Sequence, residues 1–264
     1  MKSVHPIDPL QFIFFELGNI PEDYQENPMR AGFFEIVWLI NTEAETEDYM
    51  YLIPLYRLSK LNLENKKGCL IAFKRDYLEE DDKEYALDVF NLFNMNGQYT
   101  GFRVSPGMRE TLQNIRRLLE KEYTHPMGTY LIIKALLKVF LLNLIRMNQD
   151  YFLNQELNQK RVYQFILLMD ENYKTERKAD FYSSKMGISE KRINQILKEK
   201  MNRTLTQLLH ERLVVEANRM LIGGEFTIKE IAFDLNFEDP AYFSRFYKKH
   251  TGRTPEDFKK HHLT

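Results

Sequence analysis

Two short stretches of the chain, about 50 residues apart, carry the same punctuation. In the first, Phe181, Met186 and Ile188 bracket Ser184-Lys185-Met186-Gly187-Ile188-Ser189. Gly187 supplies the positive φ of a tight turn. Ser189 is an N-cap, its hydroxyl accepting from the free amides of the turn that follows. Ile193, Ile196 and Leu197 form an apolar stripe, and Glu190, Lys191, Asn194, Gln195 and Lys198 lie opposite. In the second, Ile228, Ile231, Ala232 and Leu235 line a short helix after the candidate cap Thr227. Asn236 tolerates the left-handed turn. Asp239 caps the next helix, with Pro240 at its first position, where no amide is missed. There Tyr242, Phe243, Phe246 and Tyr247 are expected inwards, and Ala241, Ser244, Arg245 and Lys248 outwards. Between the copies, Leu208, Leu209, Leu213, Val214, Ala217 and Leu221 keep one helical period from Leu205 to Leu221. The pattern predicts two helix-turn-helix units, at about 178–200 and 227–250, joined by a helix roughly 25 Å long.

The outward faces are basic and amide-rich. Residues 185–203 hold six Lys or Arg against two Glu, and residues 245–260 six against two acids. Asn and Gln pair bidentately with adenine edges, and Lys or Arg with guanine or phosphate. Two helices held about one DNA turn apart fit successive major grooves. The charge of the whole chain follows suit: residues 151–264 carry 20 Lys and Arg against 16 Asp and Glu, leaving 17 against 22 in the rest. An anionic partner is thus favoured for the second half. The same basic faces would also serve a protein–protein interaction module with degenerate DNA contacts. Salt dependence separates the two, because phosphate contacts release counterions.

The first hundred residues read mostly as strands. Phe33–Ile40, Tyr49–Ile53 and Cys69–Phe73 are short runs of β-branched and aromatic residues, each ending at a turn or charge cluster. From Leu78 the period becomes helical (Tyr85, Val89, Leu92, Phe93), and helices at about 107–123 and 126–148 are expected as an antiparallel hairpin broken at Tyr123–Pro126. The second is apolar on more than one face, as a helix buried on two sides would be, so 107–147 is a candidate homodimer surface. Its apolar run, Tyr130–Ile145, contains Lys134 and Lys138 and is shorter than the roughly 20 residues of a membrane span. An amide-rich break near Asn148–Asn154 marks a linker. The expected organisation is α+β: a regulatory and dimerisation domain at 1–147, a linker at 148–157, and an all-α DNA-binding domain at 158–264.

Several chemistries are excluded. A single cysteine, Cys69, rules out internal disulfides and a multi-cysteine zinc site. His5, His125, His210, His250, His261 and His262 form no metal or nucleophile motif, and the expected strands contain no histidine to hold a cupin metal. No glycine-rich phosphate loop is present. The start of the chain lacks the apolar run of a secretory signal. No cofactor, no metal and no enzymatic activity are expected. Trp38, Tyr51 and Tyr56 on the strands are more simply core residues than a ligand-stacking surface.

The segment Ile231-Ala232 … Asn236-Phe237 … Tyr242-Phe243-Ser244-Arg245-Phe246-Tyr247-Lys248-Lys249 … Gly252-Arg253-Thr254-Pro255-Glu256-Asp257-Phe258 closely resembles the C-terminal signature of the AraC/XylS family of bacterial transcription regulators. The resemblance covers about 160–260. The first half resembles the family's cupin-like effector or dimerisation domain by layout. The resemblance implies DNA contacts from Lys191, Asn194 and Gln195 in the first recognition helix and from Pro240, Ala241, Ser244 and Arg245 in the second, with Lys198 and Lys248 on the same outer faces. It also implies a cytoplasmic regulator whose partners are duplex DNA, RNA polymerase and a small-molecule effector. Asn236 stands where the family usually has Gly, and Ala241 where it often has Ser. Ala241 donates no hydrogen bond and Pro240 makes only apolar contacts, which shifts readout by the second helix towards Arg245.

Overall fold

The computed structural model describes residues 6–21, 24, 27–41, 47–78, 82–94, 100–148 and 157–263. They fall in two compact units, 1–156 and 157–264.

The first unit is built on an antiparallel sheet of five strands: β1 (Phe12–Glu16), β2 (Phe34–Leu39), β3 (Tyr49–Ile53), β4 (Gly68–Phe73) and β5 (Thr100–Arg103). Their spatial order is β1-β4-β2-β3-β5. Side chains alternate across a strand, and the register puts Phe34 opposite Phe73, Ile36 opposite Ile71 and Trp38 opposite Cys69 on one face. That face meets α1 (Lys83–Phe93), α2 (Pro106–Thr124) and α3 (Tyr130–Met147), through Phe34 on Phe93, Phe14 on Tyr123 and Trp38 on Phe140. The other face carries Val37, Leu70, Ala72 and Ile53, covered by Leu17, Tyr24, Phe33 and Leu63. A sheet covered on both sides needs few polar positions, which is why all six residues of β4 are buried. One ion pair sits within the second layer: Arg30 donates to Glu35 through Nε at 2.8 Å and Nη2 at 2.7 Å, and Tyr24 adds its hydroxyl at 2.9 Å.

Trp38 and Tyr56 are buried and Tyr51 is half-buried, so none of the three offers a free stacking surface. Two strands escape the sequence pattern. β1 is uniformly apolar apart from Glu16 and shows no alternation, and β5 contains Gly101. The glycine is required by packing, since a Cβ there would lie 2.7 Å from the Tyr49 ring and 2.9 Å from that of Tyr51. The helical hairpin breaks at 125–129, later than the expected Tyr123–Pro126. Thr129 decides the position, because its side chain caps α3 by accepting from the Ile132 amide.

The second unit is helical throughout: α4 (Leu157–Asn172), α5 (Ala179–Met186), α6 (Glu190–Met201), α7 (Leu205–Gly223), α8 (Ile228–Asp234), α9 (Pro240–Thr251) and α10 (Pro255–Leu263). Helix α7 packs with α6 on one side of the unit and with α8, α9 and α10 on the other, and it also reaches α4 through Arg212 and Asp170. Buried Tyr247 donates its hydroxyl to Asn218 at 2.6 Å, and Arg212 on α7 pairs with Asp170 on α4 at 2.8 Å. Most of the linker expected at 148–157, namely residues 149–156, lies outside the described residues. Among the described residues no helix is long and apolar enough to cross a membrane, and no cluster of His, Cys, Asp and Glu is arranged to hold a metal.

Candidate nucleic-acid interface

Local chemistry fixes both turns. Gly187 ends α5 at φ 64°, and Ser189 accepts from the Arg192 amide to start α6. In the second unit Thr227 and Glu230 form a reciprocal capping box at the head of α8. Asn236 occupies the left-handed region at φ 57°. The Asp239 carboxylate accepts from the amides of Ala241 and Tyr242, with Pro240 at the first helical position. Each turn therefore aims its second helix, α6 or α9, by satisfying amides that would otherwise face only solvent.

On α6, Lys191, Gln195 and Lys198 are exposed along one face, with Ile193, Ile196 and Leu197 buried behind them. The side-chain Oε1 of Gln195 accepts from Arg192 at 2.9 Å, and the same guanidinium reaches Asn158 at 3.2 Å. Asn194 is placed differently. It is half-buried, its Oδ1 accepts the Leu205 amide at the head of α7 at 3.0 Å, and its Nδ2 donates to the Glu190 carbonyl at 3.3 Å. Both ends of that amide are thus engaged with backbone.

On α9, Ala241, Arg245 and Lys248 are exposed, and Pro240 and Ser244 are half-buried at its edge. Tyr242, expected inwards, is 55% exposed. At about 100° per residue it sits roughly 90° from the centre of the stripe formed by Phe243, Phe246 and Tyr247, which are the residues that fill the core. Tyr242 instead joins the outer surface, with the Arg245 guanidinium 5.9 Å from its ring centre. Arg245 also lies 3.6 Å from Asp239, both side chains being largely exposed.

Two histidines adjoin this helix. His210 on α7 and His250 on α9 have ring centres 4.7 Å apart, with Phe246 between their helices. Burial holds the His210 pKa down to about 4, helped by the charges of His250, Lys249 and Arg177. Sequence spacing gives no sign of this pair, since 40 positions separate its members.

The sequence model of the helix-turn-helix domain matches residues 182–261. Among curated proteins, the probable transcription factor PqrA of Proteus vulgaris is 32% identical over 82 residues, which cover 31% of this chain and 67% of that protein. The chain belongs to the AraC/XylS family of transcription regulators. Another AraC-family relative, the thermoregulatory protein LcrF of Yersinia pestis, is 24% identical over 156 residues, 58% of this chain and 56% of LcrF. The match thus spans little more than half the length of LcrF. Among solved structures, ToxT of Vibrio cholerae superposes with a TM-score of 0.51 at 16% identity, covering 86% of this chain and 88% of ToxT. The two share the fold of the family, a cupin-like sheet unit followed by a helical unit with two helix-turn-helix motifs.

Proposed function

We propose that this AraC-family chain is a sequence-specific DNA-binding transcription regulator that inserts α6 and α9 into successive major grooves. One observation carries this reading: the same capped turn and the same outward polar, basic face occur at both ends of the 19-residue α7, a helix about 28 Å long. Lys191, Gln195 and Lys198 are assigned to the first groove, and Arg245, with Ser244, Ala241, Pro240 and Lys248, to the second. Asn194 is assigned to holding α6 in place. The domains are assigned as regulatory for 1–147 and DNA-binding for 158–264. The role is regulatory rather than enzymatic, and a bacterial protein working on DNA does so in the cytoplasm. RNA polymerase and a small-molecule effector are assigned as partners on family membership alone.

Self-association is assigned to the α2–α3 hairpin. Leu131, Val139 and Leu142 are exposed at helical spacing on α3, with Leu118 exposed on α2. Several large apolar side chains on one solvent face mark an interaction site. In analytical ultracentrifugation the native chain is expected as a dimer and Val139→Asp as a folded monomer.

The test of the DNA role is a salt titration of duplex binding. Contacts to six or more phosphates give a slope of log K against log salt steeper than about −5. A protein-docking role, favoured by the exposed Phe233 and Phe226 on the same unit, gives a flat response.

A further inference from the structure

Two recognition helices that share only one linking helix are coupled weakly in twist. On B-DNA the groove turns through about 34° per base pair, so twist between α6 and α9 decides which spacing of two sequence blocks both helices can read. The described residues supply a second connection. Arg177, in the loop between α4 and α5, belongs to the first helix-turn-helix unit by position. Its Nη2 donates to the carbonyl of Leu235, the residue that ends α8 in the second unit. Its guanidinium carbon lies 4.2 Å from the ring centre of Phe237. Phe237 is 3% exposed and packs at 5.2 Å on both Phe243 and Phe246 of α9. Three residues before Arg177, Lys174 meets Asp234 at 2.6 Å. That ion pair is exposed and contributes little. The arginine contact is another matter, because Arg177 is half-buried and its Nε is buried with no hydrogen-bond partner among the described residues. A cation held against a ring and a carbonyl, with no carboxylate to pair it among the described residues, is an expensive choice if stability alone were served.

We infer that Arg177 is a positioning residue that locks the turn of the second helix-turn-helix unit to the first, and thereby sets the number of base pairs between the two DNA blocks the protein accepts. The inference rests on the DNA reading proposed above. Arginine suits the task because its planar group stacks on Phe237 while its edge donates to Leu235, a pairing that the point charge of lysine does not reproduce.

The test uses the full-length chain, Arg177→Ala and Arg177→Lys. Fluorescence anisotropy would be measured on duplexes carrying the selected blocks at spacings from about nine to about twelve base pairs. The native chain is expected to lose about tenfold or more in affinity for a one-base-pair change from the best spacing, as for a lost base contact. Both variants are expected to keep their affinity at the best spacing to within about threefold while the penalty for a changed spacing shrinks to about threefold or less. A variant spacing profile that parallels the native one overturns the inference and leaves the DNA reading intact. Equal loss at every spacing in both variants also overturns it, and assigns Arg177 to stability. A native chain that binds no duplex at all overturns the DNA reading itself, and the inference with it.

Discussion

The side-chain carbonyl of Asn194 accepts the backbone amide of Leu205 at 3.0 Å, tying the first recognition helix to the head of the linking helix. The first amides of a helix lack intrahelical partners, and Leu205 is fully buried. Asn194→Ala is therefore expected to cost about 1–3 kcal/mol of stability through an unsatisfied buried donor. Asn194→Asp keeps the acceptor for Leu205 and puts a negative charge at a helix N-terminus but loses the donor to the Glu190 carbonyl, so it is expected to lose less stability than Asn194→Ala. Thermal melts of the two variants check this, and an equal loss in both would remove the capping role.

Arg245 presents the opposite case, with a side chain that is 68% exposed. Arg245→Ala is expected to leave the melting temperature unchanged. It should weaken binding to the preferred duplex by about 1–3 kcal/mol and relax the preference at one base pair. Binding to a panel of single-base-substituted duplexes tests it, and an unaltered base preference would remove Arg245 from readout.

The legible parts of this fold were the local ones. Ser189, Thr227, Asp239, Gly187 and Asn236 all act within a few residues of themselves, and each does in the structure what its chemistry predicts. Arg245 and Lys248 were likewise placed outwards by periodicity alone. Asn194 and Tyr242 were not legible in this way. The first is claimed by a backbone amide 11 positions away, and the second sits at the edge of a stripe whose centre is set by packing on α7. Arg177 is further still from sequence reasoning, since its partners Leu235 and Phe237 come about 60 positions later. In the first unit, β5 hides behind Gly101, whose purpose appears only when the rings of Tyr49 and Tyr51 lie over it.

The Arg30–Glu35 pair tests the packing of the sheet unit. Both side chains are almost wholly buried, at 4% and 1% exposure. Glu35→Ala removes the carboxylate that balances a buried guanidinium and is expected to destabilise the unit by about 3–5 kcal/mol. The double replacement Arg30→Met with Glu35→Leu removes both charges and is expected to cost far less. Denaturant unfolding of the single and double variants distinguishes them, and equal costs would contradict the buried-charge account.

Acid should act through His210. Its pKa is about 4 in the fold against 6.5 ordinarily. Between those values the unfolded chain binds the extra proton and the folded chain does not, so stability rises with pH across that window and is flat above it. His250 on α9 is lowered in the same direction by burial and then by Lys249. The melting temperature of the native chain is expected to fall from about pH 6.5 towards pH 4, and that of His210→Gln to fall less steeply. Parallel curves would show that this histidine pair does not govern the acid response.

Helices α6 and α9 are expected to read one duplex together. Selection from a random duplex pool on the purified full-length chain at moderate salt, followed by sequencing, tests it most directly. Enrichment of two sequence blocks about 10–10.5 base pairs apart is expected. Recovery of unenriched sequence at every salt concentration would contradict it and would leave the basic faces of α6 and α9 to a partner other than DNA.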